Sequence, residues 1–190
     1  KYFENLEKEK ILNVGNVGAV SAIIENKVIL QNEGKEVVSY LKGVDQNFIN
    51  QNRIKNNVTE GQFVFTIDDV DYAVIGRGIK YSLGIKTNSE FQNIKVYSLN
   101  EEKSLKPTLI QQKIYNEDFL KPSGVFAIES GFDNNYIFTS LSFAQNLFNK
   151  TNKISSYEVM VKDKKILKKT KEDLKRILSK FNWNGTQRYR

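Results

Sequence analysis

The spacing of apolar positions divides the chain into short segments. Phe3, Leu6 and Lys10 share one face, continued by Ile11 and Leu12, and this predicts a short helix over residues 2–12. Gly15 and Gly18 interrupt it. Residues 19–24 (Ala-Val-Ser-Ala-Ile-Ile) and 26–31 are rich in β-branched side chains and predict strands. Asn32-Glu33-Gly34-Lys35 is a hairpin-turn signal, with Glu36 to Gly43 as the returning strand. Asp45 to Asn57 is polar and Asn-rich, a short helix or loop. Gly61 to Ile67 reads as a strand, Asp68 to Asp71 as a turn, and Val74 to Leu83 as a helix stopped by Gly84.

Ile94 to Leu99 predicts another strand. Residues 100–118 contain Pro107 and many polar positions, and read as a long loop or a protruding hairpin. Strands follow at Ser123–Ile128 and Asn135–Phe138, around a turn at Gly131. Thr139 or Ser140 caps a helix to about Asn149 that places Leu141, Ala144, Leu147 and Phe148 on one face. Ser156 to Lys162 alternates as a strand does. Thr170 and Asp173 have capping-box spacing ahead of Leu174, Ile177, Leu178 and Phe181, which predicts an amphipathic helix over Lys171–Lys180. Strands and helices interleaved with hairpin turns predict an α+β fold with mixed or antiparallel sheets.

Composition narrows the chemistry. Among 190 residues there is no Cys and no His. A Ser-His-Asp triad, a cysteine nucleophile and a Cys/His zinc site are therefore excluded from this chain. Apolar residues make up 39% and charged residues 27%, ordinary for a folded globular protein. No apolar run reaches the roughly 20 residues of a membrane helix. The chain begins at Lys1 without a signal peptide, and we read it as a piece of a larger protein.

The net charge of +7 is unevenly placed. Residues 162–190 hold eleven Lys/Arg and three acids, a local +8, so the remaining residues sum to −1. Such a segment suits anionic lipid or nucleic acid, or is simply a solvated helix face. Trp183, Arg188, Tyr189 and Arg190 join aromatic and basic side chains as a membrane-interface segment does. Most other aromatics (Phe63, Phe65, Phe143, Phe148, Phe181) have core spacing.

Three other groupings carry less. Asp68, Asp69 and Asp71 are close enough for a Ca²⁺ site, but they miss the EF-hand spacing and read as a polar turn. Gly76-Arg77-Gly78 lacks the third glycine of a dinucleotide fingerprint, since position 81 is Tyr. Glu101/Glu102 and Glu117/Asp118 could serve as paired carboxylates in a hydrolase, but they flank a polar loop.

Several segments, in order along the chain, resemble the MacB-like periplasmic domain of FtsX-type ABC-transporter permeases. They are Leu41-Lys42-Gly43-Val44-Asp45; Ile75-Gly76 with Ile79 and Leu83-Gly84-Ile85; Ser123-Gly124-Val125-Phe126 with Phe132-Asp133 and Tyr136; Ser140-Leu141 with Ala144-Gln145 and Leu147; and Phe181 through Gln187-Arg188-Tyr189. Lys80 stands where the family usually has a small residue. The branch most similar is the lipoprotein-releasing LolC/LolE group.

The resemblance implies two subdomains. One is a membrane-proximal α/β unit formed by residues 1–45 and 155–190; the other is a β-rich insert, 46–154. It implies a non-catalytic domain without cofactor or metal on the periplasmic face of the bacterial inner membrane. The ATPase would be a separate subunit, and a sister or identical permease a second partner. The domain would bind lipoprotein cargo or a periplasmic chaperone, not nucleic acid, and would transmit ATP-driven motion. Leu99–Asp118 would be the docking hairpin, through Leu99, Lys103, Leu105, Pro107, Leu109, Gln111 and Lys113. Lys175, Arg176, Lys180, Arg188 and Arg190 would face the membrane. MacB-like efflux and FtsX-like cell-division regulation are alternatives within the resemblance. A nucleic-acid-binding protein and a carboxylate-dependent hydrolase are alternatives outside it.

Overall fold

A computed structural model describes residues 2–51, 54–86, 92–99 and 114–179. Among them the strands are β1 (Phe3–Glu4), β2 (Val17–Asn32), β3 (Lys35–Val44), β4 (Val58–Gly61), β5 (Thr66–Ile67), β6 (Val70–Gly76), β7 (Ile94–Leu99), β8 (Tyr115–Phe126), β9 (Tyr136–Ser140), β10 (Lys153–Ile154) and β11 (Ser156–Val161). The α-helices are α1 (Lys8–Leu12), α2 (Gln46–Asn50), α3 (Arg77–Leu83), α4 (Ser130–Asp133), α5 (Leu141–Leu147) and α6 (Leu167–Ser179). The fold is α+β and rich in sheet.

The strand pairing closes on itself. β8 pairs with β7, β7 with β2, β2 with β3, β3 with β9, β9 with β6, and β6 again with β8. Closure removes the exposed edges that an open sheet of these strands would present. Every strand of the ring lends side chains to one core: Val28, Leu30, Leu41, Ile75, Ile94, Val96, Leu120, Val125 and Ile137 lie inside. Helices α3 and α5 add Ile79, Leu83, Ala144 and Leu147 to it. The outer faces of β6, β8 and β9 form a second cluster, Val74, Phe126 and Phe138, covered by Phe48 of α2 and by Ile54 and Phe65.

β2 extends beyond the ring. Ile23 pairs with Val44 of β3 on one edge and Ser156 of β11 on the other, and β11 follows β2 back towards Val17. There Ile11, Val14, Val17 and Val20 form a third core with Tyr157, Val159, Leu174, Ile177 and Leu178. The two chain ends thus meet on one strand.

Several predicted elements change. The helix over 2–12 shrinks to α1, because Phe3 and Glu4 pair with Ile154 and Lys153 of β10. The two segments 19–24 and 26–31 are one strand, and the hairpin turn after it is as expected, with Glu33 and Gly34 at φ 47° and 80°. Only Thr66 and Ile67 of the run 61–67, with Gly61 at its start, are in strands. Asp68 and Asp69 form a hairpin turn at φ 47° and 60°, a conformation that Asp tolerates better than most residues. The expected helix over Val74–Leu83 begins only at Arg77; Val74, Ile75 and Gly76 are strand, since both faces of that run are buried. Thr170 is not a cap but lies inside α6, its hydroxyl donating to the Ile166 carbonyl at 3.0 Å. Ser140 does cap α5, accepting from Phe143 N at 3.1 Å, and Gly84 ends α3 at φ 66°.

Candidate interaction surfaces

The residues singled out by motif are joints of the fold. Gly43 faces α5, where a Cβ would overlap the Ala144 Cβ and stand 2.9 Å from Ile24 Cγ2. The Gly43–Ala144 pair therefore sets how closely α5 approaches β3. Val44 is buried beside it. Asp45 ties three elements together: Oδ1 accepts from Phe48 N at 3.1 Å, capping α2, while Oδ2 accepts from Ala22 N at 3.0 Å and Lys8 Nζ at 2.6 Å. At Gly76 a Cβ would collide with the Asp133 backbone. The buried Asp133 carboxylate accepts from the N–H groups of Ile128 at 2.8 Å and Glu129 at 3.3 Å, and so shapes the entry to α4. Gly124 packs against the backbone at Glu60 and Gln62, Phe126 meets Phe132 at a tilt and Phe138 edge to face, and Leu83 and Ala144 are buried in the core against which Leu141 packs. Lys80, the departure from the family, forms an ion pair with Glu60 of β4. Lys42 is buried on β3 and pairs with Glu158 of β11.

The predicted docking hairpin has a described base. β7 and β8 pair antiparallel with Leu99 opposite Tyr115, so residues 100–114 connect the two strands. Lys103, Leu105, Pro107, Leu109, Gln111 and Lys113 lie outside the described residues. Strand parity puts Lys95, Tyr97 and Leu99 on the outer face, opposite Phe119, Glu117 and Tyr115. Ile29 of β2 pairs with Tyr97 and with Val38 of β3, which extends this face over four strands. Leu99 is 57% exposed, Phe119 53%, Val38 61% and Ile29 43%, a grouping that exceeds scattered surface apolar residues. Tyr97 and Tyr115 meet edge to face at 5.4 Å. Lys95 Nζ lies 4.8 Å from the Tyr97 ring centroid and 3.3 Å from Glu117 Oε2. Hydrogen bonding to Tyr97 holds the Lys95 ammonium above the usual lysine value, opposed by burial and reinforced by Glu117. Ile29, Val38, Tyr97 and Phe119 were not singled out in the sequence; their signal was two-residue parity, readable only once the register was known.

Helix α6 carries the described part of the basic tail. Lys175 and Arg176 are exposed, with Arg176 held to Asp173 at 2.8 Å. Lys180, Arg188 and Arg190, with Phe181, Trp183 and Tyr189, lie outside the described residues. Beside its apolar contacts, α6 is held by a residue the sequence did not mark. Asn16 donates from Nδ2 to the Asp163 carbonyl at 2.9 Å and to Thr170 Oγ1 at 2.7 Å, and its Oδ1 accepts from Asp163 N at 2.9 Å.

Of the paired carboxylates noted in the sequence, Glu101 and Glu102 lie outside the described residues, and Glu117 pairs with Lys95. Among the described residues no cluster of three His, Cys, Asp or Glu is arranged to hold a metal ion. Burial raises Asp71 above the usual carboxylate value, opposed by a hydrogen bond from Ser140 Oγ at 3.4 Å and reinforced by the charge of Asp118. Burial likewise raises the Tyr157 hydroxyl, which donates to Asn5 Oδ1 at 2.8 Å.

No family model matches the chain, and no curated protein matches it by sequence. Solved structures do. The extracellular domain of the ABC-type transporter YknZ from Gram-positive bacteria superposes with a TM-score of 0.60 at 16% identity, over 95% of this chain and 84% of that one. The chain shares the fold of ABC-transporter permease ectodomains. The periplasmic region of MacB from Actinobacillus actinomycetemcomitans agrees, at a TM-score of 0.57 and 15% identity, over 97% and 86%. Both are domains held outside the membrane, and among the described residues of this chain no helix is long and apolar enough to cross one.

Proposed function

We propose that this chain is the extracytoplasmic domain of an ABC-transporter permease, on the periplasmic face of the membrane where an outer membrane exists. It binds cargo or a carrier and relays motion driven by an ATPase on a separate subunit, with no catalysis of its own. The supporting observation is a likeness of fold that extends over almost the whole chain, 95% and 97% against the two solved domains. The division into 1–45 with 155–190 and 46–154 is part of this reading. The separate core around Ile11, Val14 and Val17 supports it, with β2 and β3 shared by both units. Of the branches, MacB-like transport is favoured by the solved neighbours. Lipoprotein release is the finer proposal and rests on the sequence motifs; there the partners are lipoprotein cargo or its chaperone at the β7–β8 hairpin.

This chain contributes no Cys, so a parent permease with its other cysteines replaced would carry a single introduced labelling site. Gly131 is exposed, and a side chain there meets nothing within 4 Å. Gly131→Cys in the parent permease should react with a membrane-impermeant maleimide added to intact spheroplasts, and the permease should co-purify with an ATPase subunit. Labelling only after lysis would refute the location. Photocrosslinking from Leu99 and Tyr115 then separates the branches, since capture of a lipoprotein carrier selects lipoprotein release and capture of an efflux partner selects MacB-like transport.

A further inference from the structure

We infer that the exposed face of α6 docks on an anionic lipid surface. The inference takes from the functional reading only the membrane on which it acts. The apolar side of α6, Leu174, Ile177 and Leu178, is spent on the core with Ile11, Val14, Val17 and Val20, so the helix presents a fixed outer side. Among residues 167–178 of the helix the exposed positions are 168, 169, 172, 175 and 176. At 100° per residue they occupy an arc of about 120°. Lys168, Lys169, Lys175 and Arg176 hold four of them, against Glu172 alone. The preceding turn adds exposed Lys164 and Lys165.

Two features favour lipid over nucleic acid. Ile166, 47% exposed, stands in the turn between Lys165 and the helix, where an exposed apolar side chain beside lysines in the chain can enter the headgroup layer. The cations of this face are lysines with one arginine, and that arginine is already held to Asp173 at 2.8 Å. Lysine is a hydrated point charge suited to a diffuse anionic layer, whereas nucleic-acid grooves favour free arginine forks and aromatic platforms. Charge elsewhere on the chain is nearly balanced, so attraction to an anionic sheet would turn this face towards it.

The test uses the whole chain and vesicles containing one third phosphatidylglycerol in phosphatidylcholine. Sedimentation should show binding that falls steeply as salt rises, with none to pure phosphatidylcholine. Lys168→Gln with Lys175→Gln should weaken it roughly tenfold or more, each basic residue near such a surface being worth about fivefold. Ile166→Ser should weaken it while leaving the salt dependence unchanged. Equal binding to neutral vesicles would overturn the inference. So would a double lysine variant that binds as the parent does, since attraction would then reside beyond α6. Tighter binding to a DNA duplex than to the vesicles would also overturn it and select the nucleic-acid partner. Maleimide labelling at residue 131 does not depend on any of these outcomes.

Discussion

Asn16→Ala isolates the joint between the last helix and the longest strand. Asn16 is 9% exposed, and its side chain makes three hydrogen bonds, two of them to Asp163 and one to Thr170. Truncation leaves the Asp163 N–H and carbonyl without these partners, while Thr170 keeps its bond to Ile166. At about 0.5–1.5 kcal/mol net per hydrogen bond, the loss should be roughly 2–4 kcal/mol. It should also be local. Lys162 N still donates to the Asn16 carbonyl at 2.9 Å, so β11 stays in register while α6 loosens. Hydrogen exchange read by mass spectrometry should show faster exchange in α6 and at 162–166, with the β2–β3 ladder unchanged. A cycle with Thr170→Val should be non-additive, because the two changes remove one shared bond. A stability loss below about 0.5 kcal/mol, or equal acceleration of α6 and the ring, would refute the reasoning. In the permease reading this joint passes displacement of the C-terminal helix to β2, so the same variant should impair transport more than ATP hydrolysis.

Three further outcomes are expected. Gly43→Ala should destabilise by about 1–3 kcal/mol in urea unfolding through overlap with Ala144, and Ala144→Gly should recover part of it in the double variant. Asp45→Ala should cost roughly 2–3 kcal/mol by removing the α2 cap and the bonds from Ala22 and Lys8, whereas Asp45→Asn, still able to cap, should cost less. Asp71 has a raised value in the folded state, so the fold holds its proton more tightly than the unfolded chain does, and its burial penalty is complete only above the folded value. Stability should therefore fall as pH rises from the ordinary carboxylate value through the raised one, and Asp71→Asn should flatten that slope in pH-dependent urea melts; an unchanged slope would assign it to another group.

Local chemistry made some elements legible. Asn32-Glu33-Gly34-Lys35 could only be a tight turn between Val- and Ile-rich runs, and Ser140 ahead of Leu141 and Ala144 marked a capped helix. Two of the differences have tertiary causes. Val74-Ile75-Gly76 is buried on both faces, inside the ring and under Phe48, so its continuous apolar run carries no strand period and reads locally as helix. Thr170 matched a cap by spacing, yet its hydroxyl had a partner 154 positions away in Asn16.

Read alone, the chain determined its α+β class, most of its hairpins, the exclusion of imidazole and thiol chemistry, and a resemblance that the solved permease domains match in fold. Those properties follow from residue type and short-range spacing, which act within a few positions. Tertiary structure decided the closure of the ring, the joining of both chain ends on β2, the face shared by Ile29, Val38, Tyr97 and Phe119, and the part played by Asn16. Each depends on a pairing between residues far apart in sequence. A one-residue change of register would turn a strand's side chains to the opposite face, and which distant segments pair is decided only when the chain folds.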